Sequence, residues 1–393
     1  MFVLKRIKVT NSYKRIINIV KTIKNFVTVI NRRHLENIEL RSDVKTLPTK
    51  KMRESVLLPE FGDSAKFEDE VVNKLERQVA SLLGKERGLY VPSGSMGNNI
   101  GLLLYLERGD YLIQGDICHI HKTEIICQKL LGINQILFKN QPNATLELDE
   151  SKLLKVIETN KDKPDFVKKL KLLTLENTHN FLGGKILPLN YVDKVKAICQ
   201  NVRKIHQDFN PKFHLDGARV LNAAAKLNIE PKELTKGFDT VSLCLSKGIG
   251  APVGSVICME DKYFEKAAEL RRGLGGSMRQ AGFIAAPGLI ALEDWKERFA
   301  IDHENSRKLY NGLKNIKGLC VTEPDTNIVN IHLESKYKSQ IFELTEKLKN
   351  KNIYVYNMFN GEYIRLVTHH QVTIEQIEKV IIEFNVVCKD IFK

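Results

Sequence analysis

The sequence predicts an α/β protein: a large domain on a mostly parallel seven-stranded sheet, then a smaller α+β domain at the C-terminus. Three observations predict it. From Glu36 onward, short apolar runs alternate with helical patterns, as in strands joined by crossover helices. Near Arg279 that alternation gives way to a long helical stretch, then short strands and two further helices. The length, 393 residues, exceeds one small domain and suits one large domain with a smaller companion.

Taken in order, the first long helical pattern covers Asp69–Leu83. Apolar runs at Gly88–Val91, Tyr111–Gln114 and Gln135–Phe138 are expected as strands. A helix over Lys152–Thr159 precedes a strand at Leu170–Glu176, and a helix over Tyr191–Gln207 precedes one at Lys212–Asp216. Thr240–Cys244 and Gly254–Met259 complete the seven. A helical stretch then begins at Gln280 and is expected to run to Ile316. Strands at Ile328–Leu333 and Tyr363–Val367 and helices at Ser339–Lys351 and Ile374–Cys388 form the second domain. The division expected is a basic extension over 1–35, a large domain with an N-terminal arm over 36–285, and a small domain over 286–393.

Composition narrows the function classes. A hydrophobic content of 43% with 27% charged residues is ordinary for a globular protein. No apolar run approaches the eighteen or so residues of a membrane span, so no membrane partner is expected. Seven cysteines are scattered without a C-x-x-C pair, which indicates neither a zinc site nor a disulfide framework and suits a reducing compartment. The net charge is +14, but residues 1–35 hold nine Lys or Arg and no acid; fourteen less nine leaves only +5 elsewhere. With no basic patch interleaved with aromatics, a nucleic-acid partner is not expected. Within the tail, Ile16, Val20, Ile23, Val27 and Ile30 recur at helical spacing between Lys14, Arg15, Lys21 and Lys24. An acid-free amphipathic N-terminus resembles a mitochondrial targeting segment; a solvated extension on a cytoplasmic protein is the alternative.

Six segments carry candidate chemistry. In Ser242-Leu-Cys-Leu-Ser-Lys247-Gly-Ile-Gly-Ala-Pro-Val-Gly254, a strand delivers a lysine to a glycine-rich turn. Partial desolvation there lowers an amine's pKa and frees it for imine chemistry; a surface lysine in a tight turn is the plain alternative. Phe213-His-Leu-Asp216-Gly-Ala-Arg219 sets an acid at the C-terminal end of a strand, where parallel α/β sheets bind ligands. A buried carboxylate needs a cationic partner, such as a protonated pyridine nitrogen, unless the pair only staples a loop. Val91-Pro-Ser93-Gly94-Ser95-Met-Gly97-Asn98 offers backbone N–H groups at a helix start, suited to phosphate or to simple capping. Leu175-Glu-Asn-Thr-His-Asn180 follows a strand at the same sheet edge. Cys118-His119-Ile-His121 follows another, although a lone histidine is commonly a satisfied core residue. Gly275-Gly-Ser-Met-Arg279-Gln280 places an arginine after a flexible turn.

Taken in chain order, together with Leu40-Arg-Ser-Asp43, Gly62-Asp63, Glu68-Asp69 and Ile364-Arg-Leu-Val-Thr-His369, these segments resemble the low-specificity L-threonine aldolases over roughly residues 39–390. These are pyridoxal-phosphate enzymes of the aspartate-aminotransferase-like fold. The resemblance implies that Lys247 holds pyridoxal 5'-phosphate as a Schiff base. Asp216 would pair with the pyridinium nitrogen and Arg219 with the phenolate oxygen. Gly94, Ser95 and Arg279 would hold the phosphate. His119 would stack on the ring and help proton transfer, and Ser42 and Arg365 would grip the substrate carboxylate. No metal is implied. The reaction implied is retro-aldol cleavage of threonine or allo-threonine to glycine and acetaldehyde, by a homodimer or homotetramer. A β-eliminating amino-acid lyase, or a cofactor-binding homologue without catalysis, are the alternatives. Two departures stand out. Lys66-Phe67 replaces the family's usual Tyr-Gly, and Gly273 replaces a larger apolar residue.

Overall fold

The computed structural model describes residues 37–57, 62–124 and 129–393. The helical pattern expected within residues 1–35 lies outside them.

The chain enters through β1 (Ile38–Glu39) and builds a seven-stranded sheet from β2 (Arg87–Val91), β3 (Tyr111–Gly115), β4 (Asn134–Phe138), β5 (Leu170–Glu176), β6 (Lys212–Asp216), β7 (Thr240–Cys244) and β8 (Ser255–Met259). The order is β2-β8-β7-β6-β5-β3-β4, and only β8 runs against its neighbours. The parallel strands read as continuous apolar runs because helices cover both faces; every side chain of β7 and β8 is buried. All seven expected strands are present, three of them with the expected ends.

The second unit is a four-stranded antiparallel sheet, ordered β12-β13-β10-β9, from β9 (Leu319–Val321), β10 (Ile328–Leu333), β12 (Tyr356–Met358) and β13 (Tyr363–Val367). Helices Ile341–Lys349 and Ile374–Ile391 close its core through Leu344, Leu348, Ile377, Val380 and Phe384. The second of these starts in a capping box, Thr373 with Gln376.

The structure corrects one element. The helical stretch expected from Gln280 to Ile316 is two helices, Gly282–Ala291 and Trp295–Leu313. The first is almost entirely small and apolar and packs into the large core. Ala291, Leu292, Trp295 and Phe299 all bury in that core, on either side of a turn at 292–294. The second helix then crosses over, and its Leu309 and Leu313 bury in the small core.

The N-terminal arm also joins the small core. β1 pairs in parallel with β11 (Ile353–Tyr354), and Ile38 and Leu40 bury there. The backbone N–H of Val367 donates to Leu40 O at 2.8 Å. Tied down in this way, the arm delivers Ser42 and Asp43 to the seam between the two units.

Candidate active site

Four parallel strands end along one sheet edge and set the polar groups there. β6 finishes on Asp216, β7 leads into Ser246-Lys247, β5 finishes on Glu176, and β3 leads to His119. Between them lies a cavity of about 190 Å³ lined by Ser93, Gly94, Ser95, Asn98, His119, Asp216, Ser242 and Lys247 among others. On one side begins the helix Gly94–Leu103. Its cap is Ser93, whose Oγ accepts the Met96 N–H at 3.2 Å. The first N–H groups of a helix have no partner within it and favour an anion.

Asp216 is 2% exposed. Its Oδ1 accepts the Ala218 N–H at 3.1 Å and its Oδ2 the Asn98 amide at 3.0 Å. Burial pushes its carboxyl up, but the nearby His119 and Lys247 charges and the Ala218 N–H outweigh burial and hold it below the ordinary range. His119 Nδ1 lies 3.1 Å from Glu124 Oε1 and 3.8 Å from Asp216 Oδ2. Burial works against its charge, yet Glu124 and Asp216 prevail and raise its pKa. The His119 backbone N–H donates to Glu176 Oε2 at 2.7 Å, and the Asn180 N–H to Glu176 Oε1 at 2.7 Å. One buried carboxylate thus fixes two segments of the site. Phe181 stacks beside His119 at 6.4 Å and 16°.

Two arginines meet nearby. Arg219 grips Asp43 through Nε and Nη2 at 2.8 and 2.7 Å, and both residues are almost fully buried. Burial would push the Asp43 carboxyl up, but the Arg219 charge and hydrogen bonds hold it far below the ordinary range. Asn180 Oδ1 accepts from Arg219 Nη1 at 3.0 Å and from Arg365 Nη1 at 3.1 Å. Arg365 also donates to Arg41 O at 3.4 Å, and its Nε finds no partner among the described residues. Ser42 caps the short turn Asp43–Lys45.

The structure therefore brings Lys247, Asp216, His119, Gly94 and Ser95 around one cavity. Arg219, Ser42 and Arg365 lie together beside Asp43 and Asn180. Arg219 uses three of its five N–H groups on these partners and keeps two. Arg279 stands apart: its side chain is 69% exposed and pairs with Asp63 at 2.8 Å. Phe67, where the family has glycine, adopts φ 61° and packs on Phe264 rather than lining the cavity. Glu124, Glu176, Asp43 and the bridging role of Asn180 carried no assignment from sequence. Charge balance offered one signal, since a buried Arg219 requires an acid.

The donor set fits pyridoxal phosphate. A buried acid held in its charged form suits a protonated ring nitrogen, a lysine amine shares its cavity, and unsatisfied helix N–H groups suit the phosphate.

Comparisons agree with this chemistry. A family model described as beta-eliminating lyase matches residues 39–336. The chain is 35% identical to low-specificity L-threonine aldolase 1 of Arabidopsis thaliana over 343 residues, covering 86% of this chain and 93% of that protein. It is 34% identical to the low specificity L-threonine aldolase of Escherichia coli K12 over 347 residues, 87% and 97% of the two chains. Its fold is similar to that of a threonine aldolase of Leishmania major, with a TM-score of 0.70 at 18% identity over 90% of this chain and 99% of that one.

Proposed function

The chain belongs to the beta-eliminating lyase family, among the low-specificity L-threonine aldolases, and from that premise we propose how its residues act. It is a pyridoxal-phosphate-dependent carbon–carbon lyase that cleaves threonine or allo-threonine to glycine and acetaldehyde. One observation carries the assignment of roles: Lys247, Asp216, His119 and the N-terminus of the helix Gly94–Leu103 all face a single cavity.

Pyridoxal phosphate, when bound, supplies the sink for the electron pair released at Cα. Lys247 provides the amine that attaches it. Asp216 keeps a proton on the ring nitrogen. Gly94 and Ser95 donate N–H groups to the phosphate, and Arg219 turns its two remaining N–H groups to the phenolate oxygen. Arg365 forms no ion pair among the described residues, which leaves it for the substrate carboxylate, with Ser42 beside it. A carboxylate held by two parallel bonds cannot rotate freely, so the clamp selects which bond at Cα breaks. His119, with its basicity raised by Glu124, takes the proton of the β-hydroxyl group.

Val44, Leu47, Leu274 and Phe283 are exposed apolar side chains, and Val44 lines the cavity itself. They support a homodimer or homotetramer whose interface covers the cavity mouth, with Arg279 reaching a phosphate across it. Residues 1–35 would direct the chain to mitochondria. A reporter carrying residues 1–35 that stays diffuse in the cytosol would count against this.

The deciding assay incubates the purified protein with threonine. Glycine and acetaldehyde in equal amounts are expected; ammonia with a keto acid would identify a β-eliminating lyase instead. Lys247→Ala should abolish turnover and the lysine-linked absorbance. Borohydride reduction that fixes the cofactor on a different lysine would overturn the attachment.

A further inference from the structure

Behind Asp216 a file of buried side chains runs away from the cavity. Asn98 Nδ2 donates to Asp216 Oδ2 at 3.0 Å, and Asn98 Oδ1 lies 3.2 Å from His214 Nε2. His214 Nδ1 lies 2.8 Å from Thr240 Oγ1. Asn98, His214 and Thr240 are at most 3% exposed. They come from three elements, the helix Gly94–Leu103, β6 and β7, and His214 stands opposite Thr240 in register. Buried polar groups are costly, and apolar side chains would pack these positions without that cost. The helix even lacks a side chain where the imidazole sits: a Cβ on Gly101 would lie 2.5 Å from the His214 ring.

The file has one consistent direction. An ionised Asp216 only accepts, so Asn98 must turn its NH2 toward it and its oxygen toward the imidazole. His214 Nε2 must then carry the proton, and Nδ1 accepts from the Thr240 hydroxyl. Burial pushes the His214 pKa down to about 4, which keeps the ring neutral near pH 7, and its two hydrogen bonds assign the tautomer. Each group therefore donates in the direction of Asp216.

We infer that Asn98, His214 and Thr240 are positioning residues that keep Asp216 deprotonated and aimed at the ring nitrogen of the bound cofactor. This rests on the reading of Asp216 given above. The physical reason is a competition for one proton. Burial favours a neutral Asp216, which would take the proton from the ring nitrogen. Each donor to the carboxylate favours its charged form, and bonds in a file reinforce one another in a low-dielectric interior. The other charged groups facing Asp216 are His119, Lys247 and, through a 3.4 Å approach to Asn98, Glu124.

The test uses holoenzyme reconstituted with pyridoxal phosphate labelled with 15N in the ring. The 15N shift reports ring protonation directly and is followed from about pH 6 to about pH 9, a range spanning shifts of a few units. Wild type should stay protonated throughout. Asn98→Ala and His214→Leu should lose the ring proton within that range, with kcat reduced about 10-fold or more and KM changed little. His214→Gln, whose amide N–H can replace Nε2, should retain the wild-type shift. Thr240→Val against Thr240→Ser repeats the test with near-isosteric changes, should the other variants fail to fold. Wild-type shifts and kcat within about twofold in both Asn98→Ala and Thr240→Val would overturn the inference. Asp216→Ala run alongside separates the two claims. If it too keeps a protonated ring, the role of Asp216 itself is wrong; if it alone loses the proton, only the file is wrong.

Discussion

Arg219 and Arg365 share one acceptor, Asn180 Oδ1, but among the described residues only Arg219 has a carboxylate to neutralise it. Burial and the neighbouring Arg219 charge both depress the Arg365 pKa, and an incoming carboxylate meets a buried cation with no ion pair among the described residues. Arg365→Lys keeps the charge and loses the planar pair of donors. One charge-assisted bond is worth about 1.5–3 kcal/mol, so kcat/KM for threonine should fall roughly 10- to 150-fold. Cofactor binding should remain normal. Steady-state kinetics decide this, and an unchanged kcat/KM would rule out the clamp. At this scale the sequence revealed residues whose chemistry is written locally. A lysine in a glycine-rich turn and an acid at a strand end announce themselves by their neighbours. Asp43 and Glu176 do not, because each acts on a residue distant in the chain, and Glu124 does not because nothing local shows that it turns inward to His119. Asp43 meets Arg219 across 176 positions, and Glu176 meets His119 across 57.

The helix Gly94–Leu103 presents Gly97 and Gly101 to β6 and β7, and both glycines make room for polar groups rather than for backbone turns. A Cβ on Gly97 would collide with Ser242 Oγ, and one on Gly101 with the His214 ring. Alanine is the better helix former by about 1 kcal/mol, so an exposed Gly→Ala change here would stabilise. In this packed interface the opposite is expected. Gly101→Ala should cost about 1–3 kcal/mol, as overpacking does, and lower the midpoint of denaturant unfolding. A midpoint equal to or above wild type would show that the helix shifts freely. The strands were legible from sequence because each is a short apolar run between polar turns, and all seven of the large sheet were found. The break at 292–294 was not. Helical periodicity continues across it: Ala291, Leu292, Trp295 and Phe299 would share one face of an unbroken helix, so the apolar pattern carries no sign of the turn. The arm strand β1 was missed for a similar reason: two residues carry no pattern until β11 pairs with them.

Across the whole molecule, the helix Trp295–Leu313 links the two cores, and Asp302 sits at its middle with no exposure to water. Neither carboxylate oxygen finds a hydrogen-bond partner among the described residues. Burial and the Asp43 charge push its pKa up to about 8, with Arg298 opposing. The folded protein therefore keeps a proton on Asp302 that the unfolded chain releases near its ordinary value of 3.8. Between those values the folded state binds more protons than the unfolded one, so stability is lost as pH rises through the window. The slope from this group is at most about 1.4 kcal/mol per pH unit. Asp302→Asn keeps the shape and removes the titration. The variant should gain on wild type steadily between pH 5 and pH 8.5, with the difference in Tm widening in its favour. Thermal unfolding of both holoenzymes at several pH values measures this, and parallel curves would show that Asp302 does not titrate in the window. Because the Asp43 charge acts on Asp302, the same ionisation sets a second negative charge against the acid that anchors Arg219. Wild type should thus lose kcat/KM above pH 8 along with stability, and Asp302→Asn should hold its activity to higher pH.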